Sequence, residues 1–586
     1  MASSDEEKLS QQKEILNLQS QEVDEEYSKL SAILPWDKFS NWINCMCVIT
    51  FDLELGQAME LIYPGHIKLT EREKSNICYL SFPDSNSGCM GDTQFSFRIR
   101  QCPGRVKPMC ASHINYNHNC PVALQIDPGH YFGYVYFRQV RDHTLRRGYF
   151  QKSVVIISRL PFHNLFMHMV GVIAPEYFDN GEPSIEVACH DIDQWPTPEA
   201  GATLNLPLMG TVLQVRVPSH SDKPGLSQNL VVTTESAFSS PTIMPSVNDS
   251  DVFKCLFPIL PHIQLIWELV LTGEPVVVMA NSPTVCSETV LALVSMILPL
   301  RFCSDYRQFF TIHDSEFKEY TSRAQAPPPV ILGVTNPFFA KTLQHWPHIV
   351  RIGDHVPATS NVKPHKLKKG GSLKTLDSKP GVYTRYKPFL NKDKAVLKRL
   401  VQGIQTNRPS EVQSAMLRRH FLEVTQSFMI PLERYVASLM PLLRNISPYK
   451  GTPRTRPFDP DEFLKSLDFS GPQLTTGIKG DWIGLYRRFF RCANFEGWYN
   501  TRIREVNRKL QLLHLEAMSD ADLQSWVSGR EEVEVVDLIL KIKEKLTTAS
   551  SNHLPVSKDV GEKLYKQMDA VIYTLPEDLR AVLGSN

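Results

Sequence analysis

The stretch ELVLTGEPVVVMANSPTVCSETVLALVSMIL, residues 268–298, constrains the fold more than any other part of the chain. Helical spacing from about Leu260 to Thr272 stops at Gly273, and a short all-apolar run follows from Val276 to Ala280. Ser282 and Pro283 then supply an N-cap and a first-turn proline for a second helix that Pro299 ends. Two later runs, QFFTI and VILGV, are again apolar throughout. Strands without polar alternation are covered on both faces, and strands alternating with helices favour a mostly parallel sheet wrapped by helices. VVVMA is therefore expected to be a central strand. The same layout is where nucleotide-binding loops occur, but such a loop needs glycines for close approach to a phosphate and a lysine to pair with it. The loop here is NSPT, with neither, and Pro283 removes one of the N–H donors. An ordinary strand–helix connection is the better reading.

The remaining chain divides by composition. With 586 residues, 42% apolar and 10% aromatic, it can fill about three to four domains of roughly 150 residues each. Residues 1–36 read as an acidic mobile tail without the apolar core of a secretory signal. Residues 37–200 read as an α+β unit: NCMCVITFDLELGQAMELIYP gives strand, turn at Gly56, strand; YFGYVYFRQV and FQKSVVIISRLP give two more strands; LPFHNLFMHMVGVIAPEYF has helical spacing. Proline, serine and glycine mark 201–250 as a connecting segment. The α/β unit takes 251–356, a basic mobile loop 357–380, and helical patterns fill 381–445 and 446–586. DKAVLKRLVQGI, SAMLRRHFLEVTQSFMIPLERYVASLM, KGDWIGLYRRFF and VEVVDLILKIKEKL carry those patterns, and no internal repeat is evident. The longest apolar runs fall short of the roughly 20 residues that span a bilayer, so a cytoplasmic protein is expected. Twelve scattered cysteines without paired spacing then read as mostly buried thiols.

Chemistry-bearing motifs are sparse. The chain has 63 Lys plus Arg against 62 Asp plus Glu, so no global charge draws it to nucleic acid, and no recognition motif for nucleic acid is present. Neither GxSxG nor HExxH occurs. The ligand-rich stretch CPGRVKPMCASHINYNHNC holds Cys102, Cys110, His113, His118 and Cys120. Its spacing matches no structural zinc pattern, and a surface loop inserted between strands outweighs a metal site. Asp305, His313, Asp314 and Glu316 lie near a strand end, where α/β proteins place function and where capping also places acids.

WELVLTGEPVVVMANSPTVCSETVLALVSMILPL, YRQFFTIHDSEFKEY, PPPVILGVTNPFF and FLEVTQSFMIPLERYV together resemble the central and downstream parts of a DENN domain. ITFDLELGQAMELIYP with YFGYVYFRQV is similar to its upstream, longin-like part, and the resemblance covers about residues 40 to 445. It continues through KGDWIGLYRRFFRCANFEGWY in the manner of the short DENN-domain proteins of the sixth subfamily. The resemblance implies a longin-like N-terminal module, a central doubly wound α/β module and a helical C-terminal part. It also implies a guanine-nucleotide exchange factor for a Rab GTPase, in this branch Rab fourteen, recruited peripherally to recycling endosomes in membrane traffic. Such a factor breaks no covalent bond and needs no cofactor or metal. It binds the nucleotide-free GTPase more tightly than the loaded one, so by linkage it weakens GDP binding by the same factor.

Carried onto this sequence, the GTPase contact falls on the first hairpin, at Asp52, Glu54, Gln57 and Glu60, and on the acidic and aromatic residues Asp305, Tyr306, Asp314 and Glu316. For the apolar positions Phe51, Leu53, Leu55, Leu61 and Ile62, strand alternation alone predicts that about half are ordinary core. From Lys363 to Arg399 there are twelve Lys or Arg against Asp377 and Asp393. Lys363, Lys366, Lys368 and Lys369 in KPHKLKKGGSLK are either a solvated loop or a contact with anionic membrane, worth roughly 1 kcal/mol per residue near the surface. Two other readings stay open. One is a DENN-fold binding scaffold without exchange activity; the other is a GTPase-activating protein that offers Arg98, Arg100 or Arg138 to the GTP phosphates.

Overall fold

A computed structural model of the chain describes residues 36–52, 54, 56–84, 90–102, 109–144, 148–222, 243–247, 250–353, 368–369, 379–442, 446–551, 554 and 556–583. The chain separates into two compact units, Met1–Glu423 and Val424–Asn586.

The first unit opens with a five-stranded antiparallel sheet: β1 (Cys45–Asp52), β2 (Gly56–Tyr63), β3 (Gly91–Arg100), β4 (His130–Arg141) and β5 (Tyr149–Ser158), in the order β2-β1-β5-β4-β3. Side chains alternate across a strand, so each sheet face buries its own set. Met46, Val48, Tyr134, Val154 and Ile156 pack under α2 (His163–Asn180) and α3 (Glu182–Asp193). Cys45, Cys47, Ile49, Val135 and Val155 pack on the other face with Ile77 and Leu80 of α1 (Glu71–Leu80). A reciprocal capping box starts α1, Thr70 and Glu73 each bonding the other's backbone N–H. Gly56, at φ +76°, makes the expected turn between β1 and β2.

Part of the segment read as a connection is instead a hairpin, β6 (Thr203–Leu208) and β7 (Thr211–Arg216). Its two-residue turn, Met209–Gly210, has φ of +49° and +78°, the sign that matches the twist of paired strands. Leu206, Leu208 and Val215 bury against the α2–α3 face, and β8 (Met244–Pro245) pairs with β7. The proline- and serine-rich signal belongs mostly to residues after Val217, much of it outside the described residues.

The second sheet is the expected mostly parallel one. β9 (Val276–Met279) is flanked by β11 (Val330–Val334) and β12 (His348–Arg351), with β10 (Asp305–Phe310) beyond β11, all parallel. β14 (Gly381–Thr384) adds antiparallel to β12 from residues read as the start of the helical part, and β13 (Lys368–Lys369) pairs with β14. Val276, Val277 and Val278 are buried, so VVVMA is the central strand. Trp267 is buried in α4 (Ile263–Leu271), which leads into β9. The turn before α4, Phe257–His262, is 3-10, with Pro258 in its first turn and Pro261 inside it, where a missing N–H cannot serve an α-helical bond. Among the described residues Val252–Leu271 is long and apolar enough to cross a membrane by composition, but 78% of it is buried in the protein. α5 (Pro283–Ser295) follows β9.

The second unit is helical. An aromatic core joins Phe428, Phe463, Tyr486 and Phe489, with the Tyr486 hydroxyl donating to the Phe428 carbonyl at 2.6 Å. Further along, Leu515, Met518, Ile539, Ile542, Leu564 and Met568 form a separate cluster between the helices Ala493–Asp520, Glu532–Ser551 and Lys558–Ile572.

Candidate functional site

Among the described residues β2 pairs only with β1, so the first hairpin forms one edge of the upstream sheet. Asp52 ends β1 and its carboxylate accepts the N–H of the exposed Glu54 at 2.7 Å. Gln57 is half-buried on β2 and Glu60 is exposed. The β1–β2 register slips between Val48 and Ile49, leaving Glu60 as the extra residue of a bulge. The bulge aims Glu60 at Lys152 of β5, 2.8 Å away, and the Lys152 ammonium also meets the Tyr177 hydroxyl at 3.3 Å. Phe51 and Ile62 pack against the α1 core and Leu61 against the other, while Leu53 and Leu55 lie outside the described residues. The four polar candidates of this hairpin thus share one sheet edge.

The second set of candidates sits elsewhere, at the junction of the two sheets. Asp305, at the start of β10, accepts a 2.6 Å bond from Arg98 of β3 and a 3.2 Å bond from Arg100, and lies 3.4 Å from His130 of β4. Its neighbour Arg307, 1% exposed, bonds Asp305 at 3.0 Å, the Arg98 carbonyl at 3.1 Å and the Glu316 carboxylate. The Arg98 guanidinium lies 4.3 Å from the Tyr306 ring centroid. Asp314 and Glu316 are buried. Burial pushes Asp314 up to about 6, whereas for Asp305 burial is more than offset by His130, Arg307 and Arg98, which hold its carboxyl well below the usual carboxylate range. Asp314 and Glu316 are withdrawn from solvent, while Asp305 and Tyr306 are half-buried. Asp305, Tyr306, Asp314 and Glu316, expected at a GTPase contact, are engaged here in ties between the upstream and central sheets. The sequence could not separate the two roles, since each places acids near a strand end.

The loop after β9 is a cap, as expected. The Ser282 hydroxyl accepts the Val285 N–H at 3.3 Å, and the Thr284 hydroxyl donates to the Gln94 carbonyl of β3 at 2.7 Å. Outgoing connections of β9 and β11 run in opposite directions, which makes the carboxyl ends of these strands the crevice where doubly wound sheets hold ligands. Here the Thr335 hydroxyl, just past β11, donates to Asp84 from the upstream module. The chain's own carboxylate stands in that crevice.

The Cys/His-rich stretch is partly a helix, Ala111–Asn119, rather than a loop, and 103–108 lie outside the described residues. Cys102 meets Thr70 at 3.1 Å, His113 bonds the Asn41 carbonyl at 2.9 Å, and Cys120 is buried. These side chains face different partners, and among the described residues no group of three His, Cys, Asp or Glu could hold a metal ion. Cysteines are mostly buried, as expected, Cys110 being exposed. Lys363 and Lys366 lie outside the described residues, and Lys368 and Lys369 are described only as β13.

The three arginines considered as fingers are engaged within the chain. Arg98 closes on Asp305 and Asp127, Arg100 on Glu316 at 2.9 Å, and Arg138 on Asp92 through bonds of 2.7 and 2.9 Å. The Asp92 bonds raise the pKa of Arg138 further. A guanidinium already forked onto a carboxylate is a poor arm for a phosphate.

The DENN (AEX-3) domain family matches residues 149–352, from β5 to β12, and the DENND6 C-terminal domain family matches 523–586, the last helices of the second unit. Relatives match nearly the whole chain. Protein DENND6A of Mus musculus is 58% identical over 562 residues, covering 96% of this chain and 93% of the relative. Protein DENND6B of Homo sapiens is 57% identical over 549 residues, covering 94% of each. The chain belongs to the DENND6 family. A more distant relative, Protein DENND6 homolog of Dictyostelium discoideum, is 32% identical over 600 residues, covering 91% of this chain and 81% of the relative. DENND6 membership and the mixed α/β architecture with a helical C-terminal part agree with the resemblance drawn from the sequence blocks. They support, in general, the role of a DENN-type regulator of a Rab GTPase.

Proposed function

We propose that this chain is a guanine-nucleotide exchange factor for Rab fourteen, acting peripherally at recycling endosomes. The observation that carries the reading is similarity to DENND6 proteins over nearly the whole length, DENN region included. The chemistry required is differential affinity: a surface that fits the nucleotide-free GTPase better than the loaded one lowers nucleotide affinity by the same ratio. The β1–β2 hairpin, with Asp52 and Glu54 at its turn and Gln57 and Glu60 on the outer strand, is the part of the proposed contact that supports this role, because it offers polar groups at a sheet edge. The basic run containing Lys363, Lys366, Lys368 and Lys369 would meet anionic lipid and bring the factor to a lipid-anchored GTPase. The activating-protein reading loses support from the pairing of Arg98, Arg100 and Arg138. The scaffold reading makes the same binding surface without exchange. Nucleotide release from a panel of loaded Rab proteins separates the two, since a scaffold leaves the release rate unchanged.

A further inference from the structure

Two β-sheets of the first unit meet edge to edge, β3 of the upstream sheet against β10 of the central sheet, and the meeting place is charged. Phe309 of β10 does reach the upstream core, stacking edge-on against Phe95 at 5.3 Å. Around it, however, lie the fully or mostly buried Arg98, Asp305, Arg307 and Glu316, with His130 and Arg100 at the margin. Asp305 is the hub. It takes Arg98, Arg100 and His130 from the upstream sheet and Arg307 from its own strand, and Arg307 in turn reaches back to the Arg98 carbonyl. Desolvating this many charges is expensive, and apolar residues of similar volume would often hold two surfaces together as well or better. What charged, directional pairs add is a single register: a slide or rotation of one sheet on the other would leave a buried charge unpaired. Four further polar ties repeat the pattern at other points of the same seam: Arg72 and Asn76 to Ser315 at 2.9 and 3.1 Å, Thr284 to the Gln94 carbonyl, and Thr335 to Asp84.

We propose that the Asp305-centred network is a positioning device that locks the upstream and central sheets in one orientation, so that the GTPase-binding surface is preformed rather than assembled by closure. Asp305 and Arg98 are positioning residues: they touch each other and not the GTPase. A preformed surface spends no binding free energy on ordering itself, so more of it is available to oppose nucleotide. This inference rests on the exchange-factor reading for its consequence, though the lock itself does not.

Asp305→Asn is the direct test, because every side chain it abandons keeps another carboxylate: Arg98 and His130 keep Asp127, Arg100 and Arg307 keep Glu316. On the full chain the variant is expected to fold, to lose amide hydrogen-exchange protection along 95–100 and 305–310, and to release GDP from the Rab at least about tenfold more slowly at saturation, with little change in KM. Asp305→Glu should recover part of the rate. Unchanged protection along both strands overturns the lock; lost protection with an unchanged release rate overturns its role in exchange. Should Asp305→Asn fail to fold, Arg98→Lys, which keeps one charge but not the two-armed geometry, is read by the same criteria. If the unaltered chain releases GDP from no Rab, the functional reading has failed, and the exchange-protection measurement still decides the lock.

Discussion

The Glu268 carboxylate accepts the Leu390 backbone N–H at 2.9 Å in the core of the first unit. It also takes the Phe389 N–H at 2.8 Å and the Tyr386 hydroxyl at 3.1 Å, so one side chain of α4 fastens the extended segment 386–390 that follows β14. Glu268 is completely buried, and burial pushes its pKa up to about 7 despite those three donors.

A pH dependence follows with a definite sign. The folded-state pKa of Glu268 lies above the ordinary value of 4.5, so between these two values the folded state holds the proton more tightly than the unfolded chain. The contribution is fully present below about pH 4.5 and is lost as pH rises through about 7. The melting temperature of the native chain is expected to fall from pH 5 to pH 7.5, and Glu268→Gln is expected to flatten that slope. Parallel slopes in the two proteins would show that Glu268 does not titrate in this window. Asp305 and Asp127, both held low, act oppositely and only in acid, where stability drops as they are protonated.

Core packing around β9 gives the second expectation. Trp267 and Val278 are both buried, at 1% and 0% exposure. Trp267→Ala should cost about 3 to 5 kcal/mol of stability in chemical denaturation. Val278→Asp should give no folded protein, because a charge without a partner is not tolerated between β11 and β12. A soluble Val278→Asp protein with native melting would contradict the central-strand assignment.

These strands were legible because their apolar runs are punctuated by Gly273 on one side and Ser282–Pro283 on the other, signals that act locally. In β3, GDTQFSFRIR, Phe95, Phe97 and Ile99 alternate with polar residues as in a half-buried strand; not legible was that Arg98 on the other face is buried too, because the carboxylate that permits it, Asp305, is 207 residues away. The β6–β7 hairpin was hidden by Pro207 and by a turn built on Met209–Gly210 rather than a common turn pair. For the candidate site, the strand–turn–strand that carries Asp52, Glu54, Gln57 and Glu60 was legible, but that β2 is the outer strand was not, because alternation assigns faces and not neighbours. Nor was it legible that Asp314 and Glu316 would be buried, since only tertiary partners decide whether a carboxylate can leave water.

Surface charge at the hairpin supplies the third expectation. Asp52→Lys with Glu54→Lys should slow GDP release about tenfold or more, since opposing charge at a contact acts on encounter and fit. The thermal cost should stay near 1 kcal/mol, mainly the lost bond from Glu54 N–H to Asp52. Normal release by this variant, alongside an active parent, would place the contact elsewhere.

Lipid attraction is tested separately. Replacing Lys363, Lys366, Lys368 and Lys369 with glutamine should leave release in solution unchanged and weaken binding to anionic liposomes, with the difference fading as salt screens the charges. Equal liposome binding by both proteins would reduce the run to a solvated loop.

Exchange activity is decided by loading a panel of Rab proteins with a fluorescent GDP analogue and following its release with and without the purified full chain in excess GTP. The account predicts that release from Rab fourteen is accelerated, that the complex is tightest when nucleotide is removed, and that added GDP or GTP dissociates it, because only a difference in affinity between the two states can shift the equilibrium. Unchanged release from every Rab in the panel would contradict the account and leave a DENN-fold scaffold in its place.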